Sequence, residues 1–158
     1  MDGPSGAGKS TFARDLAEEL DAQLISTDHF ATWDDPTTRW WPRLQRALDE
    51  VAGNRAGRYR KTDWSQGFPC VGEGDEVVLV PQRTIILEGF SSARKANTRL
   101  SLAIFVEHED ERARLERAVA RDGEHQREHF LRWQQYERGW FAVDETRARA
   151  DYVVTSSS

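Results

Sequence analysis

An α/β fold with a mostly parallel sheet is predicted by three observations. Short β-branched runs alternate with segments of helical periodicity along the chain. A glycine-rich segment, Gly3-Pro4-Ser5-Gly6-Ala7-Gly8-Lys9-Ser10, opens directly into the first helical segment. Acidic residues, Asp28 and Glu88, follow two of the apolar runs, at the carboxyl ends where open parallel sheets bind ligands. The length of 158 residues suffices for one domain around one core, so a single domain over 1–158 is the economical reading.

Taken in order, Lys9 to Leu20 reads as a helix, with Phe12, Ala13, Leu16, Ala17 and Leu20 on one face. Ala22 to Ser26 is a short strand ending in Thr27-Asp28-His29-Phe30. Pro36 and Pro42 punctuate an aromatic stretch holding Trp33, Trp40 and Trp41. A helix then runs from Pro42 to Ala52, proline being tolerated in a first turn. Asn54 to Gly74 contains Gly57, Gly67, Pro69, Gly72 and Gly74 and reads as loop. Val77 to Val80 reads as an edge strand that Pro81 stops. Thr84 to Leu87 and Leu102 to Val106 are apolar runs typical of strands buried on both faces. Glu109 to Arg121 is a charged helix with Leu115 and Val119 one turn apart. His125 to Phe141 is a second, with Phe130, Trp133, Tyr136 and Trp140 near one face. Tyr152 to Val154 is a final strand, and Ser156 to Ser158 a disordered tail.

Composition narrows the function classes. The net charge of −5 gives no bulk attraction to nucleic acid, so no nucleic-acid partner is expected. No apolar run approaches ~18 residues, so no membrane partner is expected either. The single cysteine, Cys70, excludes an intrachain disulfide and fits a reducing cytoplasm. The only lysines are Lys9, Lys61 and Lys95; the other basic residues are arginine, the better bidentate phosphate ligand. Nothing in the sequence sets the oligomeric state.

The glycine-rich segment matches the phosphate-binding pattern G-x-x-x-x-G-K-[ST] at every fixed position. Gly3, Ser5, Gly6, Ala7, Gly8, Lys9, Ser10 and Thr11 are the expected nucleotide-binding set. Glycines let successive N–H groups turn toward a phosphate, and a helix start adds its dipole. Lys9 can reach the β- and γ-phosphates, and the Ser10 hydroxyl can ligate Mg²⁺. Such a loop joins a strand to a helix, yet only Met1 and Asp2 precede Gly3. The expectation is that the natural chain begins upstream and that its first strand is missing here.

Phosphoryl transfer also needs a group to deprotonate an attacking hydroxyl and cations for developing charge. Asp28 is placed to be the base and a possible metal ligand; a helix cap or turn role is the alternative. Glu88 is placed to bind Mg²⁺ directly or through water. Arg114, Arg117 and Arg121 share a helix face and are candidates to close over a nucleotide, or to pair with Glu111, Glu116 and Asp122 in solvent. Tyr59, Asp63 and Trp64, with Trp33, Trp40 and Trp41, line an acceptor pocket in one reading and a small core beneath a loop in the other.

These segments together resemble the uridine kinase-like branch of P-loop kinases, which also holds nicotinamide riboside and pantothenate kinases. The resemblance lies in GPSGAGKST at 3–11, STDHF at 26–30, KTDW at 61–64, IILEGF at 85–90, IFVEHEDERARLERAVARD at 104–122 and ADYVV at 150–154. It implies a three-layer P-loop NTPase sandwich, here without its N-terminal strand, and a helical lid near 112–129. It implies ATP and Mg²⁺ held by Lys9 and Ser10, Asp28 as catalytic base, Glu88 beside the metal, and Arg117 and Arg121 as lid arginines. Phe30, Tyr59, Asp63 and Trp64 resemble the acceptor-binding positions, although Thr62 replaces the usual aromatic; Ala118 replaces the second arginine of the lid motif. The expected reaction is transfer of the γ-phosphoryl group of MgATP to a hydroxyl of a nucleoside or similar small molecule. The alternatives are a nucleoside monophosphate kinase, with Arg39, Arg43, Arg58 and Arg60 around an acceptor phosphate, and a truncated nucleotide-binding protein without activity. Neither an N-K-x-D nor a suitably placed D-x-x-G motif is present, which speaks against a GTPase.

Overall fold

The computed structural model describes residues 1–32, 40–65 and 72–156. Trp33, Pro36, Arg39, Gly67, Pro69, Cys70, Ser157 and Ser158, which the sequence reading used, lie outside them. The elements run α1 Lys9–Glu19, β1 Gln23–Ser26, α2 Trp41–Ala52, β2 Gly57–Asp63, β3 Gly72–Leu79, β4 Ile85–Glu88, β5 Ile104–Glu107, α3 Glu111–Asp122, α4 Arg127–Asp144, α5 Thr146–Arg149 and β6 Tyr152–Thr155. They fall into two compact units, Met1–Leu16 with Leu87–Ser158, and Ala17–Ile86.

The first unit is α/β with short parallel pairing. β5 and β6 run parallel from Ile104 opposite Tyr152 to Glu107 opposite Thr155. Met1 and Asp2 extend this layer. The Asp2 N–H donates to the Ile104 carbonyl at 2.9 Å, and its carbonyl accepts from the Val106 N–H at 2.8 Å. On the other side, the Met1 amine donates to the Leu87 carbonyl at 2.6 Å, and the Gly89 N–H donates to the Met1 carbonyl at 3.1 Å. Two residues thus occupy the strand position between the end of β4 and β5. The glycine-rich loop therefore leaves the layer at the carboxyl ends of its strands.

Asp2 also ties the layer to the turn after β4. It is fully buried, and its carboxylate accepts from the N–H groups of Gly3 (2.7 Å), Ser91 (3.0 Å) and Ala93 (2.9 Å). Burial pushes this carboxyl up to about 6, against the N–H donors and Lys9, which pull it down. The core beside it is aromatic. Phe90 lies 5.0 Å from Trp133 and 5.4 Å from Phe141, and Phe141 lies 5.1 Å from Phe105. α3 starts at Glu111 because the Asp110 carboxylate accepts from the N–H groups of Arg112 and Ala113. It stops at Gly123, whose φ of +102° suits glycine.

In the second unit α2 packs on β2. Trp41, Leu44 and Ala47 turn inward, and a Cβ on Gly57 would sit 2.3 Å from the Ala47 carbonyl oxygen. Phe30 is the centre of this small core. Its ring lies 4.5 Å from Tyr59 and 5.8 Å from Trp40, with the Arg43 guanidinium 5.6 Å away. β1 pairs with β4, of which Ile85 and Ile86 belong to this unit.

The expectation of loop over Asn54 to Gly74 is corrected here. β2 and β3 form an antiparallel ribbon from Gly57 opposite Leu79 to Asp63 opposite Gly72, with a register shift between Arg60 and Thr62. Gly57 is needed for close approach of α2, not for a turn. The residues after it alternate, with Tyr59 buried and Arg58 and Arg60 exposed, and Arg58 pairs across the ribbon with Glu76 at 2.8 Å. The strand expected to begin at Val77 consequently begins at Gly72.

Candidate functional site

The glycine-rich loop has the backbone its sequence requires. Gly3, Gly6 and Gly8 have φ of +138°, +76° and +88°. Two of them also permit close packing. A Cβ would meet the Val106 carbonyl oxygen at 2.0 Å from Gly3, and the Arg114 carbonyl oxygen at 2.4 Å from Gly6.

The loop's hydrogen bonding is one-sided. Among the described residues, nothing accepts from the N–H groups of Gly6, Gly8, Lys9, Ser10 or Thr11. Its carbonyls, in contrast, face cations. The Lys9 ammonium donates to Pro4 O at 2.8 Å, and Arg114 Nη1 donates to Ser5 O at 3.3 Å. Arg117 Nη1 lies 3.5 Å from Gly6 O. A run of unengaged N–H groups at a helix start, beside a lysine, is an anion-binding surface.

At the first turn of α1, the Ser10 hydroxyl donates to Glu88 Oε2 at 3.2 Å. Glu88 is 5% exposed, and Lys9 8%. Among the described residues, no group of three or more His, Cys, Asp or Glu is arranged to hold a metal ion. A hydroxyl and one carboxylate instead suit Mg²⁺, which keeps several waters and completes its shell with substrate phosphates. The donor set fits that ion.

Sequence reading missed two residues that touch this loop, Glu137 and Trp133. Glu137 of α4 is 1% exposed. Its Oε1 accepts from the Ser5 N–H at 2.8 Å, the Ser5 hydroxyl at 2.7 Å and the Trp133 indole N–H at 2.7 Å. Trp133 also donates to the Ser5 hydroxyl oxygen at 3.0 Å. Arg114, buried, lies with one nitrogen 4.0 Å from Glu137 Oε2 and another 3.5 Å from Glu111. The available signal was a glutamate one turn after Trp133, on a helix whose marked face is otherwise aromatic.

The expected lid arginines part company. Arg117 is beside the loop and also reaches His108 Nε2 at 3.3 Å. Arg121 is exposed and pairs with Asp122 at 2.5 Å. In α3, which carries both, Arg114, Leu115, Ala118 and Val119 are buried.

The other predicted residues belong to the second unit. Asp28 is exposed within a 3₁₀ turn, Thr27–His29, and Ser26 caps that turn by accepting from the Asp28 N–H at 3.3 Å. The Asp28 carbonyl accepts from the Trp64 indole at 3.1 Å. The Tyr59 hydroxyl and His29 Nδ1 are 2.9 Å apart, and burial raises the phenol to about 12. Asp63 is held below the usual carboxylate range by the Ser65 N–H and hydroxyl. Asp28, Tyr59 and Trp64 are thus neighbours around one turn, while Phe30, Tyr59, Trp40 and Trp41 are core residues. Of the arginines considered for an acceptor phosphate, Arg43 donates to Arg60 O at 2.7 Å, Arg58 pairs with Glu76, and Arg60 lies 3.9 Å from Glu73.

Residues 1–72 match the model of a protein family described as an AAA domain. The match indicates a P-loop NTPase-like, nucleotide-binding and kinase-like protein. It includes the glycine-rich loop and Asp28 and ends before Glu88. No curated protein matches the chain.

Proposed function

We propose that this protein is an ATP-dependent small-molecule kinase of uridine kinase-like type, with a three-layer P-loop core. It transfers the γ-phosphoryl group of MgATP to a hydroxyl of a nucleoside or similar metabolite. The observation that carries this reading is the pairing of an unengaged N–H array with the Ser10 hydroxyl held on buried Glu88. The N–H groups of Gly6 and of Gly8 to Thr11 bind the phosphates, and Lys9 leaves the Pro4 carbonyl to reach the β- and γ-oxygens. Ser10 and Glu88 hold Mg²⁺, which when bound neutralises charge on the transferred group. Asp28, exposed and backed by the Trp64 indole, accepts the proton of the attacking hydroxyl. Arg117, next to Gly6, supplies a cation for the developing charge.

The test is ADP release from ATP and Mg²⁺ across nucleosides, nicotinamide riboside, pantothenate and nucleoside monophosphates, with Lys9→Ala as control. One hydroxyl acceptor should stimulate release, and Lys9→Ala should abolish it. Stimulation by monophosphates alone would replace the hydroxyl acceptor with a phosphate. No ATP binding and no release with any acceptor would overturn the kinase reading.

A further inference from the structure

The glycines that let the loop bind phosphate also leave it free to adopt other shapes. Something outside the loop must select one of them, and the contacts of Ser5 identify it. The Ser5 N–H is directed to Glu137, its hydroxyl donates to the same oxygen, and its carbonyl accepts from Arg114. Every polar group of this residue is therefore taken by α3 or α4. Glu137 Oε1 has three donors, an indole among them, while Oε2 accepts no hydrogen bond among the described residues and has Arg114 at 4.0 Å. A buried carboxylate desolvated to this degree is costly unless its partners are fixed. The energy of the pair is best satisfied in one arrangement of Ser5. The next residue, Gly6, is pressed against the Arg114 backbone, so the loop cannot retreat on that side.

We propose that Glu137, oriented by Trp133 and opposed by Arg114, is a positioning residue that sets the phosphate-binding loop. By drawing the Ser5 amide outward and occupying its carbonyl, the two helices leave the N–H groups of Gly6 and of Gly8 to Thr11 to the nucleotide. The consequence for affinity and turnover rests on the kinase reading above; the consequence for the loop itself does not.

Amide hydrogen exchange of the unliganded protein tests the loop directly. In Glu137→Ala the amides of Ser5 and Ala7, the hydrogen-bonded ones of this stretch, should exchange about tenfold faster or more, because a charge-assisted anchor is lost. Glu137→Gln, which keeps an acceptor oxygen, should restore much of the protection. Leu131→Ala, an exposed position on the same helix, should leave it unchanged. If Glu137→Ala fails to fold, Trp133→Phe, which removes one donor to Glu137, should give a smaller increase in the same amides. ATP titration completes the set. Glu137→Ala should raise the ATP Kd about tenfold, with Glu137→Gln within about threefold of the parent, and should raise KM for ATP more than it lowers kcat. Loop exchange in Glu137→Ala equal to that of the parent overturns the proposal whatever the nucleotide data. A parent that binds no ATP, with loop exchange changing as described, overturns the kinase reading and leaves the positioning role standing.

Discussion

Asp2 offers a prediction whose sign can be worked out. Burial and hydrogen bonding act on its carboxyl in opposite directions, and burial prevails, moving it from 3.8 to about 6. That gap is worth about 3 kcal/mol between the two protonation states. The folded protein holds this proton more tightly than the unfolded chain. The stabilisation is therefore fully present below pH 3.8 and is lost as pH rises through about 6. Asp2→Asn keeps the shape but cannot ionise, so comparing the two proteins cancels the groups that do not sense its charge and leaves Asp2 with the neighbouring Met1 amine. Urea denaturation at intervals from pH 4 to 8 would give the stability difference at each pH. The parent's advantage over Asp2→Asn should be greatest in acid and shrink by up to about 3 kcal/mol, the loss falling between pH 3.8 and about 6 and levelling off above that. An advantage that grows with pH would refute the reasoning. It would mean that the N–H groups of Gly3, Ser91 and Ala93 outweigh desolvation and favour the charged form.

Two further outcomes are expected. Glu88→Gln removes the charge facing Ser10 and should shift the magnesium titration of ATP turnover to about tenfold higher concentration; an unchanged titration would take Glu88 out of the metal shell. Phe30→Ala empties the centre of the second unit and should cost about 3–5 kcal/mol in a denaturant melt, because the ring is fully buried between Tyr59 and Trp40.

What could be read in the sequence was local. The first helix begins at Lys9, as expected, because a motif and a helical period coincide there. The short strands before Asp28 and ending at Glu88 were legible as apolar runs with a punctuating residue. The ribbon of β2 and β3 was not, because glycine was read as a turn signal where its use is close packing against α2. The strand signal in this stretch is the alternation of exposed Arg58 and Arg60 about buried Tyr59. The role of Asp2 was out of reach, since its partners Ser91 and Ala93 lie 89 and 91 residues away. The same holds for Glu137 and Ser5, 132 residues apart.

That pattern follows from what a binding motif encodes. The eight residues from Gly3 to Ser10 supply donors, a cation and a hydroxyl, and their glycines make the required dihedrals accessible. Accessibility is weaker than preference, because glycine pays more conformational entropy than any other residue when a single shape is imposed. The preference here is supplied from outside. Arg114, Arg117 and Glu137 take the loop's outward groups, and the Val106 and Arg114 carbonyls occupy the space that a Cβ would need at Gly3 and Gly6. A motif match therefore locates the chemistry, whereas the readiness of the loop for phosphate is a property of α3 and α4. Substitutions in those helices should change nucleotide affinity without touching any residue of the motif.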